Sequence, residues 1–117
     1  MSGSSGSRQP RQVGPIAIAA MRVAPTHPGV ILAEAFSYEG LSIAAAARRL
    51  SVSPAILRRV CRCRRPLSLH ECVLVAALTG TSVEFWARLQ LHHDLWHAIR
   101  RSRKRACAVT PLKVSRL

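Results

Sequence analysis

The chain has 117 residues, a formal net charge of +13 and 49% apolar residues, with aromatics at only 4%. That is enough chain for one modest core, built from Ala, Leu, Val and Ile, and a single domain with loose ends is expected. A charge this large on so small a chain points to a polyanionic partner. With only five acids, Glu34, Glu39, Glu71, Glu84 and Asp94, the chain has little with which to run paired-carboxylate chemistry. The longest apolar run, Cys72 to Leu78, is far short of the roughly 20 residues that a membrane span requires.

Residues 1–21 read as a disordered leader, Gly/Ser-rich over Met1 to Ser7 and without the layout of a signal peptide. A cytoplasmic protein is therefore expected. Pro25-Thr26-His27-Pro28-Gly29 reads as an extended entry to a first helix over Gly29 to Tyr38, with Ile31, Leu32, Ala35 and Phe36 at helical spacing and Gly40 as its stop. Ser42 is an N-cap for a second helix, Ile43 to Leu50, whose alanine run Ala44 to Ala47 gives high propensity and a slim surface.

Ser51-Val52-Ser53-Pro54 breaks the pattern. Ser53 is an N-cap, and Pro54 at the first helical position loses an N–H that would have had no intrahelical partner. The third helix then runs from Pro54 to about Arg62. Two helices joined by a short turn form the supersecondary unit that DNA-binding proteins use. Pro66-Leu67-Ser68 opens a fourth helix with the capping box Ser68-x-x-Glu71, ended by Gly80. Thr81-x-x-Glu84 reads as a second capping box, opening a longer helix from Ser82 to about Arg101 that carries Trp86 and Trp96. A basic, flexible tail is expected over 102–117, after a domain over 22–101.

The third helix holds the functional reading. On a wheel of 100° per residue, Leu57, Val60 and Cys61 share one face, and Ala55, Arg58, Arg59 and Arg62 share the opposite one. A helix fits the major groove, and Arg can grip guanine O6 and N7 with two hydrogen bonds. Arg58, Arg59 and Arg62 are the candidates for base reading, with Ser53 and Ala55 near the groove. Arg48, Arg49, Arg64 and Arg65 are candidates for positioning the phosphates. No acid interrupts the stretch from Arg48 to Arg65, whereas a merely solvated face mixes both signs.

Pro25-Thr26-His27-Pro28-Gly29, then Leu41-Ser42, Ala47, Leu50, Val52-Ser53, Leu57 and Val60, resemble the HigA/VapI-type antitoxins, members of the lambda-repressor-like (XRE-type) helix-turn-helix superfamily. Gly80-Thr81-Ser82-x-Glu84-Phe85-Trp86-x-x-Leu89-Gln90 and Asp94-Leu95-Trp96 are similar to that family's last helix. The resemblance spans roughly residues 22–98. It implies an all-α, five-helix DNA-binding domain with flexible termini, and a homodimer on a double-stranded, palindromic operator. It also implies repression of the chain's own promoter and a HigB-like, mRNA-cleaving toxin as partner. Ile43 stands where the family usually has Gln, Ser51 where the motif turn has Gly, and Arg62-Cys63 where Asn-Gly follows the recognition helix. Both glycine positions are expected to need a left-handed backbone. Pro54 and Ala55 replace polar residues of the early recognition helix.

Two other readings compete. In one, the chain is a protein-interaction module with vestigial DNA binding, anchored on a partner through Trp86, Leu89 and Trp96. In the other, Arg100 to Arg105 bind RNA. No cofactor or metal is expected. Cys61-x-Cys63 with His70 and Cys72 matches no common zinc spacing, and residues 61 and 63 would point roughly 200° apart on a helix. His93 and His97, spaced i, i+4, lack the acid of a zinc-protease motif and read as a surface or half-buried pair. No nucleophile–base arrangement is evident, and the protein is expected not to be an enzyme.

Overall fold

The computed structural model describes Ile18 and residues 20–113. Its helices, in chain order, are α1 (Pro28–Tyr38), α2 (Ile43–Leu50), α3 (Pro54–Cys61), α4 (Leu69–Thr79) and α5 (Val83–Cys107). No strand occurs among the described residues, and no single helix is long and apolar enough to cross a membrane. Among the described residues these five helices form the all-α arrangement expected from the sequence.

Each helix starts where a side chain can satisfy an orphan amide. The Oγ atoms of Ser42, Ser53 and Ser68 accept from Ala45 N, Ile56 N and Glu71 N. Ser68 and Glu71 form the full capping box, with the Glu71 carboxylate accepting from the Ser68 amide at 2.9 Å. The second expected box does not form. Ser82, not Thr81, caps α5 by accepting from Phe85 N, and the Thr81 hydroxyl instead accepts from Trp86 Nε1 at 2.7 Å. Trp86 is almost fully buried and needs a partner for its N–H, which takes Thr81 out of the capping role.

Helices α1 to α4 end in one way. A residue in the left-handed region follows the helix, and the next amide reaches back five residues: Leu41 to Phe36, Val52 to Ala47, Arg64 to Arg59 and Thr81 to Ala76. The left-handed residues are Gly40, Ser51, Cys63 and Gly80, with φ of 67°, 58°, 61° and 72°. The two sites where the family carries glycine do require a left-handed backbone.

The core comprises Leu32 and Phe36 of α1, Ala46, Ala47 and Leu50 of α2, Leu57 and Val60 of α3, Leu67, Cys72, Val75 and Ala76 around α4, and Trp86 of α5. Helix α3 packs against α1 and α2, and α5 against α4 and α1. The alanines of α2 allow the close approach that their small size predicted. Helix α5 continues to Cys107, so residues 102–107, expected in a flexible tail, are helical and exposed. The rest of that tail is described only to Lys113. Most of the expected leader lies outside the described residues. Ile18 is buried, and Met21 is tied to α5 through its carbonyl, which accepts from Trp96 Nε1 at 3.0 Å.

Candidate nucleic-acid interface

Helix α3 is fixed from behind. Leu57 and Val60 are 3% and 1% exposed, so the helix cannot rotate without uncovering its apolar back. Full burial of each such side chain stabilises the fold by about 1.5–3 kcal/mol. Cys61 is half-buried and packs against the same core. The opposite face carries Ala55, Arg58, Arg59 and Arg62, all exposed. Ser53, at the N-terminus, is exposed as well, with its hydroxyl engaged by Ile56 N. Arg48 and Arg49, exposed in the last turn of α2, precede the motif turn, and exposed Arg64 follows α3.

Arg65 differs from its neighbours. Its Nη1 donates to both carboxylate oxygens of Glu71, at 2.9 and 3.1 Å, and to the Pro66 carbonyl. An acid absent from the arginine-rich stretch in sequence is supplied by α4 in space. Desolvation pushes the Glu71 carboxyl up, but the Ser68 amide and the Arg65 guanidinium outweigh it and hold it below the usual carboxylate range. Ile43 is half-buried and packs on the core, and its aliphatic side chain offers no hydrogen bond to a phosphate.

The seat of α3 depends on residues whose role no local pattern shows. Gly29 is buried where α1 crosses α3, and a Cβ there would run into the Val60 backbone carbonyl. That carbonyl accepts the Cys63 amide, so the crossing rests on the left-handed turn that ends α3. His27 is buried and caps α1, its Nδ1 accepting from Gly29 N at 2.8 Å. Its ring meets His93 edge-on at 4.9 Å, and His93 Nδ1 is 2.9 Å from the Pro25 carbonyl. Burial lowers the basicity of His27 and His93 adds to this, against Asp94 and the Arg65 backbone. Gln90, also buried, joins α5 to the loop after α3. Its Oε1 accepts from Leu67 N at 2.8 Å, and its Nε2 donates to Asp94 at 2.9 Å. These residues fall within the Pro-Thr-His-Pro-Gly and Leu-Gln…Asp segments that carry the family resemblance, which was their only signal in the sequence.

The cysteines are not grouped for chemistry. Burial pushes the thiols of Cys61 and Cys72 up, Cys63 and Glu71 adding to the respective effects, and Cys63 and Cys107 are exposed. Among the described residues no cluster of His, Cys, Asp or Glu is arranged to hold a metal ion. His93 and His97 are half-buried neighbours, with ring centroids 4.6 Å apart.

No family model matches the chain. It is 33% identical over 72 residues to the virulence-associated protein A' of Dichelobacter nodosus, a match that covers 61% of this chain and spans 63% of that protein. The solved structures are closer in extent. Antitoxin GraA superposes with a TM-score of 0.71 at 34% identity, over 77% of this chain and 99% of its own. The Pseudomonas aeruginosa antitoxin HigA, solved with the higBA promoter, gives a TM-score of 0.71 at 32% identity, over 75% of this chain and 98% of its own. The chain belongs to the HigA antitoxin family. Within this HigA-type fold, α2 and α3 are the helix-turn-helix, and the exposed arginine face of α3 is its outward surface.

Proposed function

We propose that the chain is a DNA-binding antitoxin that binds a palindromic operator as a homodimer, represses its own promoter and neutralises a HigB-like, mRNA-cleaving toxin. One observation carries the DNA reading. An acid-free arginine face, Arg58, Arg59 and Arg62, stands exposed on a helix whose opposite face is locked into the core. A two-fold dimer would present two such helices about one DNA turn apart. Arg58, Arg59 and Arg62 are assigned to base edges, with Ser53 and Ala55 at the groove. Arg48, Arg49 and Arg64 are assigned to phosphates, and Arg65 contributes there only through the N–H groups that Glu71 leaves over. The Pseudomonas aeruginosa relative solved with its promoter supports this reading, as does the P. aeruginosa protein PA4674, solved with operator DNA. The toxin and the autorepression rest on family membership. The protein is read as a non-catalytic regulator that works in the cytoplasm.

Of the three anchors of the rival interaction-module reading, Trp86 is 2% exposed and Leu89 packs against the core, which leaves the half-buried Trp96. Selection of bound genomic fragments followed by footprinting tests the DNA reading. The expected result is a protected, two-fold symmetric site upstream of the chain's own reading frame. Replacing Arg58 by Ala is expected to weaken binding to that site by about 1–3 kcal/mol and to relax preference at one base pair. An unaltered gel-shift titration with Arg58→Ala would remove Arg58 from the reading set. Co-purification of the product of an adjacent reading frame tests the toxin partner.

A further inference from the structure

We infer that the last two turns of α5 form a second, sequence-independent phosphate-binding element, which extends the DNA contact beyond the footprint of α3. The inference rests on the DNA reading above and adds a surface that the helix-turn-helix does not include.

Arg100, Arg101, Arg103, Lys104 and Arg105 lie on α5, and no acid follows Asp94 in the sequence. Every residue from Arg100 to Cys107 is exposed, so this part of the helix has no buried face. Arg100 with Lys104, and Arg101 with Arg105, stand i, i+4, and like-charge pairs at that spacing cost a few tenths of a kcal/mol each. The helix dipole favours cations in its last turn but does not offset repulsion among so many. A helix held neither by a core nor by opposite charges on its own surface is suited to an external polyanion. Its base is secured to the body. Arg100 lies over the Trp96 ring at 4.5 Å, and Trp96 is hydrogen-bonded to Met21.

The path of α5 favours DNA over other polyanions. Gln90 contacts Leu67 at the start of α4, and one turn later His93 and Asp94 share a crevice with Cys63 and Arg64. Helix α5 therefore passes the C-terminal end of α3 at His93 and Asp94, and its basic turns follow that crossing. At 1.5 Å per residue, Arg101 to Arg105 lie about 10–17 Å beyond Asp94 along the axis. That span is well within one turn of duplex, about 34 Å. A single duplex seated on α3 would bring its flanking phosphates within the field of the second cluster. The other side chains here, Ser102, Ala106 and Cys107, form no apolar face that could enter a lipid surface.

The test uses the full chain with Arg101, Arg103, Lys104 and Arg105 all replaced by Gln. Circular dichroism and a thermal melt establish that the fold is kept. Binding to a random-sequence 30-bp duplex is followed by fluorescence anisotropy from 50 to 300 mM NaCl, with a 30-nucleotide single-stranded RNA in parallel. The slope of log K against log salt is expected to shrink by about 2–4, near 0.9 for each phosphate that the variant no longer neutralises. The ratio of affinities for the selected operator and the random duplex is expected to stay the same. An unchanged slope overturns the inference. So does a variant that loses RNA binding tenfold or more while keeping its DNA isotherm, which would assign the element to RNA. If the unmodified chain binds neither duplex, the DNA reading itself fails. If it binds and the variant keeps the full slope, only the second element fails.

Discussion

Helices α1 and α4 end on glycine, whereas α2 and α3, with the same turn, end on Ser51 and Cys63. The amide after the left-handed residue makes the same five-residue bond at all these ends, so the backbone is specified by more than the residue at the turn. At Gly40 and Gly80 a Cβ would meet nothing within 4 Å, and glycine is needed there for φ alone. At Ser51 and Cys63 a side chain is carried at a cost of roughly 1–2 kcal/mol. The strain thus falls on either side of α3, where α2 and α3 are held by burial of Leu50, Leu57 and Val60. Core packing around the helix-turn-helix is strong enough to impose a conformation that its turn residues resist.

The sharpest way to break this arrangement is to remove the packing that enforces it. Gly29→Ala drives a Cβ into the Val60 carbonyl beneath the Cys63 turn, and overpacking of this kind is expected to destabilise the fold by about 2–3 kcal/mol. Urea denaturation reads the loss; a midpoint equal to that of the unmodified chain would mean that α1 can shift without cost. Smaller effects of opposite sign test the turns themselves. Ser51→Gly and Cys63→Gly should each stabilise the fold by about 1 kcal/mol, while Gly40→Ala and Gly80→Ala should each destabilise it by about as much. If the serine and cysteine sites gain nothing from glycine in the same denaturation series, strain is absent there.

The gentlest probe is pH. His27 caps α1 as a neutral ring, because its Nδ1 must accept from Gly29 N. Its folded pKa lies below the ordinary 6.5, so the unfolded chain takes up the proton first as pH falls. Stability from this group is complete above about pH 6.5 and declines below it, until the folded ring also titrates. Thermal melts between pH 8 and 5.5 should show this decline, and His27→Asn, which can cap but not titrate, should flatten it. Equal pH dependence in the two proteins would assign the decline to other groups.

Much of this is legible in the chain. The helix starts follow from Ser42, Ser53 and Ser68, whose hydroxyls do what local geometry requires of them. The arginine face of α3 follows from spacing alone, because eight residues of helix leave little freedom once Leu57 and Val60 are inward. What escapes is decided at long range. Thr81 and Ser82 offer the same capping chemistry, and only the buried indole of Trp86 chooses between them. The Arg48 to Arg65 stretch is free of acid in sequence, yet α4 brings Glu71 onto Arg65. The full length of α5 does not show either, since a run of cations without an apolar stripe gives no periodic signal for helix. The crossing at Gly29 needs both α1 and α3 in place before its reason exists.

The hydrogen bonds of Pro25 with His93 and of Met21 with Trp96 join residues 68 and 75 positions apart. During synthesis at about 5–20 residues per second, roughly 3–14 s separate the emergence of Pro25 from that of His93. The entry to the first helix therefore stays unsealed until most of α5 has been made. The nascent protein can collapse around Leu57 and Val60 early, but it is closed only by α5, so a ribosome that stalls within that helix holds a domain that is built but not yet latched.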